Sequence, residues 1–76
     1  MPAVTVLYFA GLREARGRAD EVVSIAPDAT VEALFRELFP GWTAPVTFMR
    51  NRARVAGDAR IEAGDEVAFL PPLGGG

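Results

Sequence analysis

Residues 27 to 41 spell out one amphipathic helix, and a lone helix with a wide apolar face needs a sheet to cover it. Pro27-Asp28-Ala29-Thr30 announces its start. Thr30 is placed to cap the first free N–H groups, and Glu32 falls in the first turn, where the helix dipole favours an anion. Val31, Leu34, Phe35, Leu38 and Phe39 recur at i, i+3, i+4, i+7 and i+8 and form one apolar stripe, with Arg36 and Glu37 opposite. Pro40-Gly41 ends it. The stripe is read as core packing, with no ligand assigned to it.

Strand signals flank this helix on both sides. Ala3 to Ala10 is dense in β-branched and aromatic residues, apolar on both faces, and is predicted to be a central strand. Residues 11 to 20 hold two glycines and three arginines and read as a loop or a single helical turn. Glu21 to Ala26 is predicted as a second strand, with Val23 and Ile25 on one face. After a loop with Trp42 and Pro45, Val46 to Met49 and Ala53 to Val55 form a hairpin about Asn51-Arg52, since Asn tolerates the left-handed backbone of tight turns. Gly57-Asp58 and Gly64-Asp65 are further turn signals. Glu66 to Leu70 is the last strand, with Val67 and Phe69 on one face and Ala68 and Leu70 on the other. The order suits an α+β fold of the β-grasp type, with first and last strands parallel in the middle. Other small α+β folds share that element order.

Composition narrows the chemistry. The chain has 76 residues, half of them hydrophobic, which suits one small folded domain. It contains no cysteine, histidine or lysine, so its side chains offer no disulfide, thiol nucleophile, thiolate metal ligand or group that ordinarily titrates between pH 5 and 8. Apart from the α-amine, it has no primary amine and accepts no isopeptide bond on a side chain. A net charge of −2 gives no general attraction to nucleic acid. The arginines cluster at Arg13, Arg16 and Arg18 and at Arg50, Arg52 and Arg54, read as solvated faces before phosphate or carboxylate patches. No apolar run is long enough to span a bilayer, and Met1-Pro2 leads straight into alternating sequence, so a cytoplasmic protein is expected.

The chemistry therefore moves to the end of the chain, Pro71-Pro72-Leu73-Gly74-Gly75-Gly76. The prolines terminate the sheet ladder and bias the chain to an extended path. Residues 1–70 are expected to form the domain and 71–76 a flexible extended tail reaching roughly 20 Å. Its reactive group is the carboxyl of Gly76, with a reference pKa of about 3.5. That carboxylate is inert to nucleophiles until activated, as in an acyl adenylate. The glycines suit a narrow channel, where backbone approaches catalytic groups closely.

Three segments carry a resemblance: Val6-Leu7-Tyr8-Phe9-Ala10-Gly11-Leu12-Arg13-Glu14, then Thr30-Val31-Glu32-Ala33-Leu34, then Gly64-Asp65-Glu66-Val67-Ala68-Phe69 with Pro71-Pro72 and Gly75-Gly76. Together, and in this order, they resemble the small sulfur-carrying subunit of molybdopterin synthase. That subunit belongs to the ubiquitin-like β-grasp group that includes the thiamin sulfur carrier (the MoaD/ThiS family). Thiamin carriers are usually shorter and lack the Arg-Glu element and paired prolines. The extra Gly74 departs from the pattern without touching the terminal pair.

The resemblance implies a mixed sheet with one main helix on one face, and a carrier with no autonomous active site. An E1-like partner would adenylate Gly76 using ATP, and sulfur from a donor enzyme would give a thiocarboxylate; no cofactor is bound permanently. The large synthase subunit, in a heterotetramer, would admit Gly75, Gly74 and Leu73 into its channel, and two sulfur transfers to a cyclic pyranopterin monophosphate would build the dithiolene of the molybdenum cofactor. Phe9, Leu70, Pro71, Pro72 and Arg54 are the expected partner-binding residues, and Arg13 and Glu14 loop-fixing or partner-facing groups. No nucleic-acid, membrane or metal partner is expected. A carrier for thiamin, tRNA thiolation or cysteine synthesis, a protein modifier, and a plain β-grasp binding module remain alternatives.

Overall fold

The computed structural model describes residues 2–72. Its elements are β1 (Ala3–Tyr8), α1 (Ala10–Arg16), β2 (Asp20–Ser24), α2 (Val31–Leu38), β3 (Thr47–Arg50), β4 (Ala53–Val55) and β5 (Glu66–Leu70). One five-stranded sheet runs β2-β1-β5-β3-β4. β1 and β5 pair in parallel, with Val6 opposite Val67 and Tyr8 opposite Phe69; the other neighbours are antiparallel. The expected β-grasp arrangement is therefore the observed one.

Alternation decides what β1 and β5 contribute. Val4, Val6 and Tyr8, with Val67 and Phe69, point to one face and are buried beneath Val31, Leu34 and Phe35 of α2. Phe69 is fully buried; its ring centroid lies 5.0 Å from that of Phe35 and 5.8 Å from that of Phe48. α2 begins as its sequence indicates: the Thr30 hydroxyl accepts from the Ala33 N–H at 3.1 Å, and Arg36 reaches Glu32 one turn earlier at 3.2 Å.

The segment read as a loop or single turn is instead the seven-residue helix α1. Leu12 anchors it in the core, and Gly17 closes it in the left-handed conformation, φ 74°, donating its N–H to the Arg13 carbonyl. One apolar anchor in a glycine-flanked segment leaves no helical periodicity to detect. β1 also stops at Tyr8, two residues before the expected end. Ala10 adopts φ 52° and turns the chain out of the sheet. β2 runs Asp20–Ser24 where Glu21–Ala26 was expected, and β3 starts one residue late.

The β3–β4 turn is as expected. Asn51 and Arg52 both have positive φ, 49° and 68°, the conformation of a type I′ hairpin. Asn51 also ties the hairpin to β5: its side chain accepts from the Glu66 N–H at 2.9 Å and donates to the Asp65 carboxylate at 3.1 Å. The Glu62 N–H donates to that carboxylate too, which with Asn51 holds the Asp65 pKa below its ordinary value.

The first arginine cluster turns inward. Glu21 accepts from the Tyr8 hydroxyl at 2.6 Å, from Arg16 through Nε at 3.0 Å and through a second, shorter contact, and from Arg18 at 3.0 Å. Arg16 also reaches the Leu38 carbonyl at the end of α2. One carboxylate thus joins α1, β1 and β2. The Tyr8 hydrogen bond, then those of the two arginines, lower the Glu21 pKa, while burial and the same carboxylate raise that of Tyr8.

A lowered folded-state pKa stabilises above the unfolded value, near 4.3, and that stability is lost as pH falls through the folded value. For Tyr8 it is present below about pH 10 and lost as pH rises beyond. Glu21→Gln is expected to lower stability at pH 7 by about 1–2 kcal/mol, since only the inner part of the cluster is shielded from solvent. It should also flatten the decline in stability below pH 4.5, measured by urea unfolding as a function of pH.

Candidate functional site

The sheet face away from α2 is uncovered. Leu7 of β1 lies opposite Ala68 of β5, Ala68 opposite Met49 of β3, and Met49 opposite Arg54 of β4, so these four share one row. Two residues along, Glu66 lies opposite Thr5; in the other direction Leu70 lies opposite Thr47. Because Ala68 is the short member between Leu7 and Met49, the row dips at its centre. The resulting hollow, about 320 Å³, is lined by Leu7, Phe9, Met49, Arg52, Glu66, Ala68 and Leu70.

Phe9 is 42% exposed beside this hollow, a high cost for a phenylalanine. Arg52 and Glu66, 4.0 Å apart, supply its charged edge. The hollow stands where β5 ends: Leu70 is in its wall and the exposed Pro71 and Pro72 follow. A larger hollow, about 450 Å³, sits where β1 begins, between Pro2, Ile25, Asp28 and Arg60, and Arg60 is paired there with Asp28 at 3.1 Å. It lies at the opposite end of β1 from Phe9 and away from Leu70.

Among the expected partner-binding residues, Phe9 and Leu70 line the hollow, Arg54 closes its row on the edge strand, and Pro71 and Pro72 leave from its wall. Leu73, Gly74, Gly75 and Gly76 lie outside the described residues. Leu7, Met49, Ala68, Arg52 and Glu66 were not singled out as site residues. Strand alternation alone places Ala68 with Leu70, but bringing Leu7 and Met49 beside them requires the pairing register. Arg13 and Glu14 are exposed on α1. Among the described residues, no helix is long and apolar enough to cross a membrane.

Comparison with known proteins agrees with this architecture. Residues 6–76 match the model of the ThiS family. The chain is similar to a Pyrococcus furiosus protein assigned as subunit 1 of molybdopterin converting factor, with 25% identity and a TM-score of 0.84 over 96% of this chain and all of that one. It is similar to small archaeal modifier protein 1 of Haloferax volcanii, with 25% identity and a TM-score of 0.81 over the same shares. At 18% identity it shares the fold of a chain in the complex of subunits 1 and 2 of molybdopterin-converting factor from Helicobacter pylori, with a TM-score of 0.62 over 97% of this chain and 99% of that one. With the family model matching nearly the whole chain and the β-grasp sheet in place, this protein belongs to the ThiS family.

Proposed function

We propose that this chain is the sulfur-carrier subunit of a molybdopterin synthase, working through the carboxyl of Gly76. One observation carries the reading: the apolar hollow around Ala68 adjoins the end of β5, from which Pro71-Pro72 lead to Leu73-Gly74-Gly75-Gly76. A partner seated on the hollow would receive the tail directly. The Pyrococcus similarity and the complex formed by the Helicobacter subunits support a large-subunit partner.

The chemistry is a substitution at phosphorus followed by one at the acyl carbon. A carboxylate oxygen of Gly76 attacks the α-phosphorus of ATP, held by an adenylating partner, and pyrophosphate leaves. Hydrosulfide supplied by a donor enzyme then attacks the acyl carbon, AMP leaves as the C–O bond breaks, and the remaining S–H proton passes to water. The resulting thiocarboxylate gives its sulfur to a pyranopterin precursor in the large subunit. This chain supplies the docking face, the slender approach through Gly74 and Gly75, and the acyl carbon. No resident cofactor enters its part.

The small archaeal modifier favours a second reading, in which the activated carboxyl is passed to an amine of another protein. Binding separates the two. Ala68→Arg places a long cation in the floor of the hollow, between Leu7 and Met49. It is expected to weaken capture of a pterin-binding large subunit at least 100-fold in a titration, about 2.7 kcal/mol, while the fold survives because Ala68 faces away from the core. Wild-type chain that binds no such subunit but forms protein conjugates would favour the modifier.

A further inference from the structure

Two large hydrophobic side chains stand exposed among the described residues, Phe9 and Val22. Phe9 belongs to the hollow around Ala68. Val22, 70% exposed in the middle of β2, has no such place. β2 is an edge strand, flanked by β1 alone. The hydrogen-bond parity of that pair is set at both ends, where the Tyr8 N–H donates to the Ala19 carbonyl and the Ile25 N–H to the Pro2 carbonyl. Glu21 and Val23 therefore bond toward β1, and the backbone N–H and C=O groups of Asp20, Val22 and Ser24 point out of the sheet. All three residues are exposed, and no loop or turn among the described residues covers these groups with a hydrogen bond.

An open edge is a template for another strand, and folded proteins usually blunt it with short length, proline or charge. The opposite edge is blunted in this way: β4 has three residues, with Arg54 at its centre and Arg52 just before it. β2 has five residues, no proline, and one charge among its outward three, Asp20. Its other carboxylate, Glu21, is already engaged by Tyr8, Arg16 and Arg18. The strand also complements itself. Paired antiparallel about Val22, two copies set Val22 on Val22, Asp20 opposite Ser24 and Glu21 opposite Val23. All three outward residues then pair, with two N–H···O=C bonds to each pair, and no charge faces its like. A slip of one residue sets outward groups against inward ones. A register that sets Asp20 on Val22 brings Glu21 onto Glu21, and one that sets Val22 on Ser24 leaves Asp20 without a partner inside the strand. We infer that a second copy of this chain adds to the β2 edge about Val22, giving a two-fold dimer with one continuous sheet. The hollow around Ala68 stays open in each copy, since β2 contributes none of its lining. Five residues a side fall well short of the roughly 20–30 of a standard interface, so the dimer is weak, with a dissociation constant of about 0.1–1 mM.

The experiment uses the full chain, with sedimentation equilibrium and amide hydrogen exchange followed from about 20 μM to about 2 mM. Wild type is expected to pass from mostly monomer to mostly dimer across that range. At its upper end the Asp20, Val22 and Ser24 amides should exchange at least twofold more slowly than at its lower end. Val22→Lys sets two like charges face to face at the two-fold axis, and Val22→Pro removes an N–H that the ladder with β1 does not use. Both variants are expected to stay monomeric throughout while keeping the protection of the Glu21 and Val23 amides, which reports an intact β1–β2 pair. Ala68→Arg, altered in the hollow alone, is expected to dimerise as wild type does. Wild type that remains monomeric at the top of the range overturns the inference and leaves the edge to a foreign strand. A dimer that either folded Val22 variant leaves intact overturns it too, as does one that Ala68→Arg dissolves or one in which the three amides gain no protection.

Discussion

Deleting Gly76 is expected to cut sulfur transfer by at least 100-fold while leaving the thermal midpoint unchanged. The deletion still ends in a glycine carboxylate, so the chemistry of the terminal group is intact. Its position is not. The carboxyl moves back by one residue, about 3.5 Å, and a misplacement of only about 1 Å at a reacting centre can cost 100-fold. Nothing in the domain compensates, because β5 ends at Leu70 and Pro71 and Pro72 follow as exposed residues outside any strand. Stability is separate for the same reason: among the described residues, the buried hydrophobics fall between Val4 and Phe69. The check pairs a single-turnover transfer assay with calorimetry on the same preparation. Wild-type transfer from the shortened chain would refute the terminal role, and a lowered midpoint would show that the tail also stabilises the fold.

The second large effect concerns the fold that aims the tail. Phe69→Ala is expected to cost about 3–5 kcal/mol. Phe69 is fully buried, and its ring is an edge-on partner of Phe35, Phe39 and Phe48 and a tilted one of Tyr8. Removing it therefore opens one void among rings contributed by β1, α2, its following turn and β3. A domain this small is expected to sit near the lower end of the usual stability range, about 5 kcal/mol, so the variant should retain at most about 2 kcal/mol and show a measurable unfolded fraction without denaturant. Phe69→Leu, which fills much of the space, should cost less than half as much in the same urea titration. A loss under 1 kcal/mol for Phe69→Ala would show that the aromatic cluster is not the centre of the core. Since Leu70 adjoins Phe69 on the opposite face, loss of the Phe69 ring should also disturb the wall of the hollow.

Much of this fold is written in local pattern. Period-two alternation in β5 separates Val67 and Phe69 from Ala68 and Leu70, and the 3.6-residue stripe from Val31 to Phe39 identifies α2. Thr30 and Asn51 announce the cap and the turn that the structure contains. The missed helix α1 shows where local pattern ends. Its single anchor, Leu12, is helical because the β1–β2 connection packs it into the core, a tertiary reason with no periodic signature. The Glu21 cluster was hidden for a related reason. Arg16 and Arg18 read as a solvated face, and Glu21 only as the start of a strand, until the antiparallel register brings Glu21 beneath the Tyr8 hydroxyl.

The site divides in the same way. Phe9 and Leu70 were reachable by strand parity, and Arg54 as a charge near them. Leu7 and Met49 were not, because a hollow arises from residues in different strands at one level of the sheet. Ala68 looked unremarkable for the same reason. Its small size matters only when flanked by two larger side chains.

Sulfur loading at Gly76 is read most directly from the intact mass of the wild-type chain after incubation with an adenylating enzyme of its kind, ATP and a sulfur donor. The expected result is an increase equal to the difference between one sulfur and one oxygen atom, located by fragmentation at Gly76 and absent when ATP is withheld. An unchanged mass, under conditions in which the same enzyme and donor thiocarboxylate another carrier, would contradict it.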